Sequence, residues 1–165
     1  MSQSCKIKSK PEERQGVYKV MKIQLHAKRD GVTKLGPGTR FVVWTQGCSR
    51  SCPGCMTAES QKPNGGFSTD TKQLAEEIVK SDRHGLTISG GEPFLQAKAL
   101  ADLIQEVRKK TDLGVMIYTG FTLEELQEAD NPDYKLLLEQ CDLLVDGPYT
   151  VSYTHLRAHE TDQYL

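Results

Sequence analysis

Cys48, Cys52 and Cys55 fall within eight residues, in the run Trp44-Thr-Gln-Gly-Cys-Ser-Arg-Ser-Cys-Pro-Gly-Cys55. Three thiols so close in sequence point to a metal site. An iron–sulfur cubane is normally held by four cysteines, and no fourth lies nearby. A cubane held by three keeps one iron open, and an open iron can take a small-molecule ligand. Two other chemistries compete. A structural zinc site wants four ligands, usually in two pairs, and Cys5 and Cys141 have no partner at that spacing. A disulfide framework belongs to small secreted chains, and no secretion signal is visible here.

A second segment adds to the first. Leu86-Thr-Ile-Ser-Gly-Gly-Glu-Pro-Phe94 reads as a short apolar strand broken at Gly90-Gly91, with Glu92 and Pro93 leading into a helix. Paired glycines let a ligand approach the backbone with no Cβ in the way. A carboxylate directly after them can hold a cationic amine. By itself Gly-Gly marks only a turn; beside the cysteine triplet it gains meaning.

Together these residues resemble the radical S-adenosylmethionine superfamily, which carries C-x3-C-x2-C after one strand and G-G-E after the next. The chain is most similar to the small activating enzymes of anaerobic ribonucleotide reductase and related glycyl-radical enzymes. The matching segments are Gly36-Pro-Gly-Thr-Arg-Phe-Val-Val-Trp-Thr-Gln-Gly-Cys48, Cys52-Pro-Gly-Cys55, Tyr118-Thr-Gly-Phe-Thr-Leu-Glu-Glu-Leu126 and Leu144-Val-Asp-Gly-Pro-Tyr149. The resemblance covers residues 21–150. Gly54 departs from the aromatic residue often found before the third cysteine.

The resemblance implies a [4Fe–4S] cluster on Cys48, Cys52 and Cys55, with S-adenosylmethionine at the open iron. It implies that Gly90, Gly91 and Glu92 bind the methionine end, and that Thr119 and Asp146 contact the rest of the cofactor. It further implies a 5′-deoxyadenosyl radical that removes a hydrogen from a glycine Cα of a partner anaerobic ribonucleotide reductase, with an electron donor such as flavodoxin. Another glycyl-radical enzyme or a peptide remains an alternative substrate. A non-enzymatic iron–sulfur electron carrier is a further alternative, although a carrier has no use for an open iron.

Composition sets the limits. The chain has 165 residues and a net charge of −1, with no basic patch of the kind that binds nucleic acid. No apolar run approaches the ~18 residues of a membrane span. Free cysteines and an open iron suit a reducing, oxygen-poor cytoplasm.

The elements that must position these groups alternate strand and helix. Met21, Ile23 and Leu25 alternate as in an edge strand, and Phe41–Thr45 is a buried apolar run. Leu74, Ala75, Ile78 and Val79 recur at helical spacing, as do Leu100, Leu103, Ile104 and Val107. Further strands are expected at Leu86–Ser89, Val115–Tyr118 and Leu143–Val145. Thr122-Leu-Glu-Glu125 forms a capping box, and Asn131-Pro132 an N-cap followed by proline at the first helical position. Successive βα units give a parallel sheet with its chemistry at the carboxyl ends of the strands. A closed barrel needs about 250 residues, so the expected class is α/β, a partial, open (β/α) barrel with parallel strands.

The ends stand apart. Residues 1–20 form a polar extension, with Met21 as an alternative start. Val151–Thr161 back-translates into a run resembling a sequencing-library adapter, so residues 151–165 are expected to be a non-native tail on a truncated domain. His155 and His159 are accordingly not expected to be ligands. Arg40 is a charge available to face a partner's loop. Trp44 reads as core, and Cys141 as a small buried hydrophobe leading into a buried strand.

Overall fold

The computed structural model describes residues 21–150. The expected extension and tail, with His155 and His159, lie outside the described residues. The elements are β1 (Lys22–Val32), β2 (Arg40–Thr45), β3 (Phe67–Asp70), α1 (Thr71–Ser81), β4 (Gly85–Gly90), α2 (Ala97–Arg108), β5 (Gly114–Tyr118), α3 (Leu123–Glu128), α4 (Pro132–Glu139) and β6 (Leu143–Val145). They build one six-stranded sheet in the order β3-β1-β2-β4-β5-β6.

The sheet is open and mixed. Strands β2, β4, β5 and β6 run parallel, whereas β1 pairs antiparallel with both β2 and β3. This corrects two expectations. The sheet is not parallel throughout, and the Met21–Leu25 run belongs to an inner strand. The outer strand is β3, whose exposed Phe67 and Ser68 give it no buried alternation to read in the sequence. Its ladder to Lys22–Leu25 defines it instead.

Helix ends follow local chemistry. Asp70 caps α1 by accepting from the N–H groups of Lys72 and Gln73 at 2.8 and 3.4 Å. The capping box of α3 is formed: Thr122 Oγ1 accepts from Glu125 N at 3.2 Å and Glu125 Oε2 accepts from Thr122 N at 2.7 Å. Asn131 caps α4 through Asp133 N at 3.0 Å. Each such cap contributes about 1 kcal/mol.

The core lies between the helices and one face of the sheet. Leu74, Ile78, Leu100, Leu103, Ile104 and Val107 pack with Phe41, Val43, Leu86, Ile88, Val115 and Ile117. Burying each of these larger aliphatic side chains is worth roughly 1.5–3 kcal/mol. The parallel strands follow one another across the sheet in chain order, so right-handed crossovers place their helices on the same side. Alternation turns Val42, Thr87 and Met116 to the other face, together with Trp44, Ser89 and Tyr118 nearer the carboxyl rim. Trp44 is half-buried and outside the core cluster, contrary to the expectation for it.

Two further expectations change. Arg40 is 4 % exposed and does not face a partner. It sits at the amino end of β2, away from the cysteine loop. Its guanidinium donates to Thr87 Oγ1 at 2.6 Å, to Leu86 O and Gly114 O at 2.8 Å each, and to Pro37 O at 3.1 Å. It therefore staples β2, β4 and β5 together where they start. Strand β6 is the sheet edge among the described residues, and Leu143 in it is 48 % exposed. Cys141, half-buried before that edge, donates its S–H to Leu143 O at 3.1 Å.

Candidate functional site

The sequence-predicted site residues lie at or just beyond the carboxyl ends of the parallel strands, with Gly90 the last residue of β4. The cysteine loop follows β2, Gly91-Glu92 follows β4, Thr119 follows β5 and Asp146 follows β6. Because these strands are parallel, the four segments share one rim.

The cysteine loop is built from tight turns. Cys52-Pro53-Gly54-Cys55 has proline at the second position, glycine with φ +71° at the third, and a Cys55 N–H to Cys52 O bond of 3.3 Å. That is a type II turn, and it accounts for glycine where the resembling superfamily often has an aromatic residue. Ser51 just before it also takes a positive φ of +46°. All three cysteines are free and half-buried. Burial pushes the Cys48 thiol up from its ordinary value, and Arg50 N–H opposes this by donating to Cys48 Sγ at 3.4 Å.

Gly90 and Gly91 hold the loop's stem. A Cβ on Gly91 would lie 2.2 Å from Gly47 O, and one on Gly90 would lie 2.5 Å from Thr45 N. The close approach is used: Gly91 N donates to Thr45 O and Glu92 N to Gly47 O, both at 2.8 Å. Glycine is required here because backbone meets backbone. On its other side the stem is closed by Gly47 N to Ser60 O (2.7 Å) and Cys48 N to Gln61 O (3.2 Å). Gln46, 4 % exposed, adds bonds from its amide to Glu59 O and Lys62 O at 2.9 and 2.5 Å.

Glu92 is turned inward. It is 1 % exposed, and its carboxylate accepts from Phe94 N at 3.0 Å, Thr119 Oγ1 at 2.8 Å and Gly120 N at 2.9 Å. Burial pushes its pKa up, and these donors pull it back only in part. The structure thus joins two predicted site residues, Glu92 and Thr119, directly. Asp146 stands apart from that pair: it is exposed and accepts from Leu123 N at 2.8 Å.

Two residues of the site, Arg50 and Gln46, were not legible beforehand. Arg50 reaches from the cysteine loop to Glu125 at 3.3 Å and lies 4.9 Å from the centre of the Phe121 ring. Gln46 closes the loop stem as described. Arg50's place between Cys48 and Cys52 was the only signal, and its direction depends on tertiary contacts.

Three thiols in one rim loop are the donor chemistry that an iron–sulfur cluster takes. Among the described residues, no three His, Cys, Asp or Glu side chains are grouped as a metal-binding set, so the donors are gathered in sequence and on the rim rather than already converged. A separate cleft, lined by Met21, Phe94, Leu95 and Tyr134, includes none of the cysteines. No helix among the described residues is long and apolar enough to cross a membrane.

The chain belongs to the 4Fe-4S single cluster domain family, whose model matches residues 34–162. The chain is 32 % identical over 123 residues to the anaerobic ribonucleoside-triphosphate reductase-activating protein of Vibrio cholerae, covering 69 % of this chain and 76 % of that protein. The protein of the same description from Escherichia coli K12 is 31 % identical over 123 residues, covering 69 % and 77 %. That of Enterobacteria phage T4 is 28 % identical over 120 residues, covering 69 % and 73 %. The chain belongs to this family of activating proteins.

Proposed function

We propose that this protein activates an anaerobic ribonucleoside-triphosphate reductase by generating a glycyl radical on it, using S-adenosylmethionine and a [4Fe–4S] cluster. The observation that carries this reading is the shared rim of the cysteine loop, Gly91-Glu92, Thr119 and Asp146. Family membership names the partner.

Cys48, Cys52 and Cys55 would hold the cluster as thiolates, leaving one of its four irons for the amine and carboxylate of S-adenosylmethionine. The chemistry supplied there is one-electron reductive cleavage to a 5′-deoxyadenosyl radical, which takes a hydrogen from a glycine Cα. The chain's residues do the positioning. Gly90-Gly91-Glu92 receives the methionine end, and the Glu92 carboxylate supplies negative charge toward the ammonium. Thr119 holds that carboxylate in place. Asp146, exposed on the same rim, is assigned to the rest of the cofactor. Half-burial of Cys48 limits water at the loop. We read the one-sided helix layer as the outer layer of a partial barrel whose open side admits a protein substrate. The electron comes from a flavodoxin-like donor, in a reducing cytoplasm.

The test is anaerobic reconstitution with iron and sulfide, followed by a reductant, S-adenosylmethionine and the purified reductase. The expected result is 5′-deoxyadenosine together with a glycyl-radical EPR signal on the reductase. Cofactor cleavage without that signal would overturn the assigned partner. Zinc at one equivalent, with no sulfide, would overturn the cluster.

A further inference from the structure

We infer that Arg50 is a positioning residue that latches the first half of the cysteine loop onto the turn after β5, and so sets Cys48 and Cys52 relative to Glu92. The inference rests on the reading of the three cysteines as cluster ligands.

Arg50 acts at both of its ends. Its backbone N–H donates to Cys48 Sγ at 3.4 Å. Its side chain leaves the loop and crosses to a different part of the fold. There the guanidinium lies 4.9 Å from the centre of the Phe121 ring, and Nη1 donates to Glu125 Oε1 at 3.3 Å. A stacked, paired guanidinium is held in a plane that lysine cannot reproduce.

Both receiving groups are fixed independently of Arg50. Glu125 spends its other oxygen, Oε2, on Thr122 N at 2.7 Å in the capping box. Phe121 packs against the core cluster, with its ring 6.3 Å from that of Tyr134. The loop therefore docks, through Arg50, on groups that other contacts already hold.

The latch also lies next to Glu92. A Cβ on Gly120 would sit 3.1 Å from Arg50 Cγ and 3.4 Å from Glu92 Oε2. Arg50 and Glu92 thus flank Gly120, whose N–H holds Glu92 at 2.9 Å. One short turn, 119–121, registers the cysteine loop on one side and the Gly90–Glu92 segment on the other. Without the latch, the stem bonds at Gly47 and Cys48 would hold only the base of the loop.

The test uses the full chain with Arg50→Ala, Arg50→Lys, Phe121→Leu and Glu125→Gln. In the metal-free protein, iodoacetamide labelling of Cys48 is followed by mass spectrometry. In the reconstituted protein, iron loss to a chelator is timed. Arg50→Ala should raise both rates roughly three- to fivefold, with the melting temperature little changed. Arg50→Lys should recover the Glu125 part only, and Phe121→Leu should match it. If Arg50→Ala does not fold, the Phe121 and Glu125 variants carry the test, because the first removes the ring under the guanidinium and the second removes the negative charge that pairs with it. Wild-type rates in every folded variant would overturn the latch. Absence of iron and sulfide from the wild type would overturn the ligand assignment instead, and the labelling arm would still judge the latch.

Discussion

The Thr119 hydroxyl donates to the buried Glu92 carboxylate at 2.8 Å, joining the residue after β5 to the residue after the β4 glycines. Thr119 Oγ1 also accepts from Phe121 N at 3.2 Å. One hydroxyl thus ties the Gly90–Glu92 segment to the turn on which Arg50 rests. Thr119→Val keeps the shape and removes the donor, leaving a 1 %-exposed carboxylate with one bond fewer. The expected loss is about 1–3 kcal/mol in urea denaturation, with Thr119→Ser close to wild type. Equal stability of the valine variant would show that the bond is dispensable.

Glu92 makes stability depend on pH in a definite direction. Burial raises its pKa above the ordinary 4.5, so the folded state holds the proton more tightly than the unfolded chain does. The stabilisation by that proton is full below 4.5 and is lost as pH rises through the folded value. Glu92→Gln has no such proton to lose. The stability of wild type relative to Glu92→Gln should therefore fall as pH rises from 4.5, then level off. Denaturation curves across the range check this; a difference that is flat, or that grows with pH, contradicts it.

Gly91→Ala should loosen the loop stem. Its Cβ would meet Gly47 O at 2.2 Å, so the backbones must part and the bonds from Gly91 N and Glu92 N must lengthen. A loss of about 1–3 kcal/mol is expected, together with poorer iron retention. Gly114→Ala is the control, since its Cβ would meet nothing within 4 Å. If both variants melt alike, the close approach at Gly91 carries no weight.

Arg40→Ala should cost roughly 3 kcal/mol or more, because it leaves Thr87 Oγ1 and the carbonyls of Leu86 and Gly114 without their charged donor. Arg40→Lys cannot reach all of these acceptors from one ammonium. Activation of a reductase should fall only in proportion to the folded fraction. A folded Arg40 variant that binds the reductase poorly would return Arg40 to a partner-facing role.

Replacing Cys48, Cys52 or Cys55 singly by Ala should abolish a cluster of about four irons and four sulfides, measured by metal and sulfide analysis. Cys141→Ala should leave the content unchanged, because Cys141 lies before β6 with its thiol on Leu143 O. Retention of a full cluster by any of the three loop variants would remove that cysteine from the ligand set.

Much of this was written locally in the chain. The periodic faces of α1 and α2, the capping box at Thr122–Glu125, the Asn131-Pro132 start and the parallel strands after residue 40 depend on neighbours a few residues apart, and such signals survive in sequence. The cysteine spacing and its proline–glycine turn are local in the same sense. So is the order in which the cysteine loop, Gly90-Gly91-Glu92, Thr119 and Asp146 follow successive strands, which puts them on one rim once the strands are parallel.

Only the tertiary structure decided the rest, because those outcomes depend on groups far apart in sequence. β3 exists through its ladder to β1, not through any pattern in Phe67–Asp70. Arg40 is buried because carbonyls from β4 and β5 converge on it. The glycines at 90 and 91 meet the backbone of Thr45–Gly47, which residue types alone could not distinguish from room for a ligand. Glu92 turns inward because three donors, two of them on the β5 turn, outbid the rim for its oxygens. Arg50 faces Phe121 and Glu125 for the same reason: a long, flexible side chain points where fixed acceptors are, and the fold sets their place.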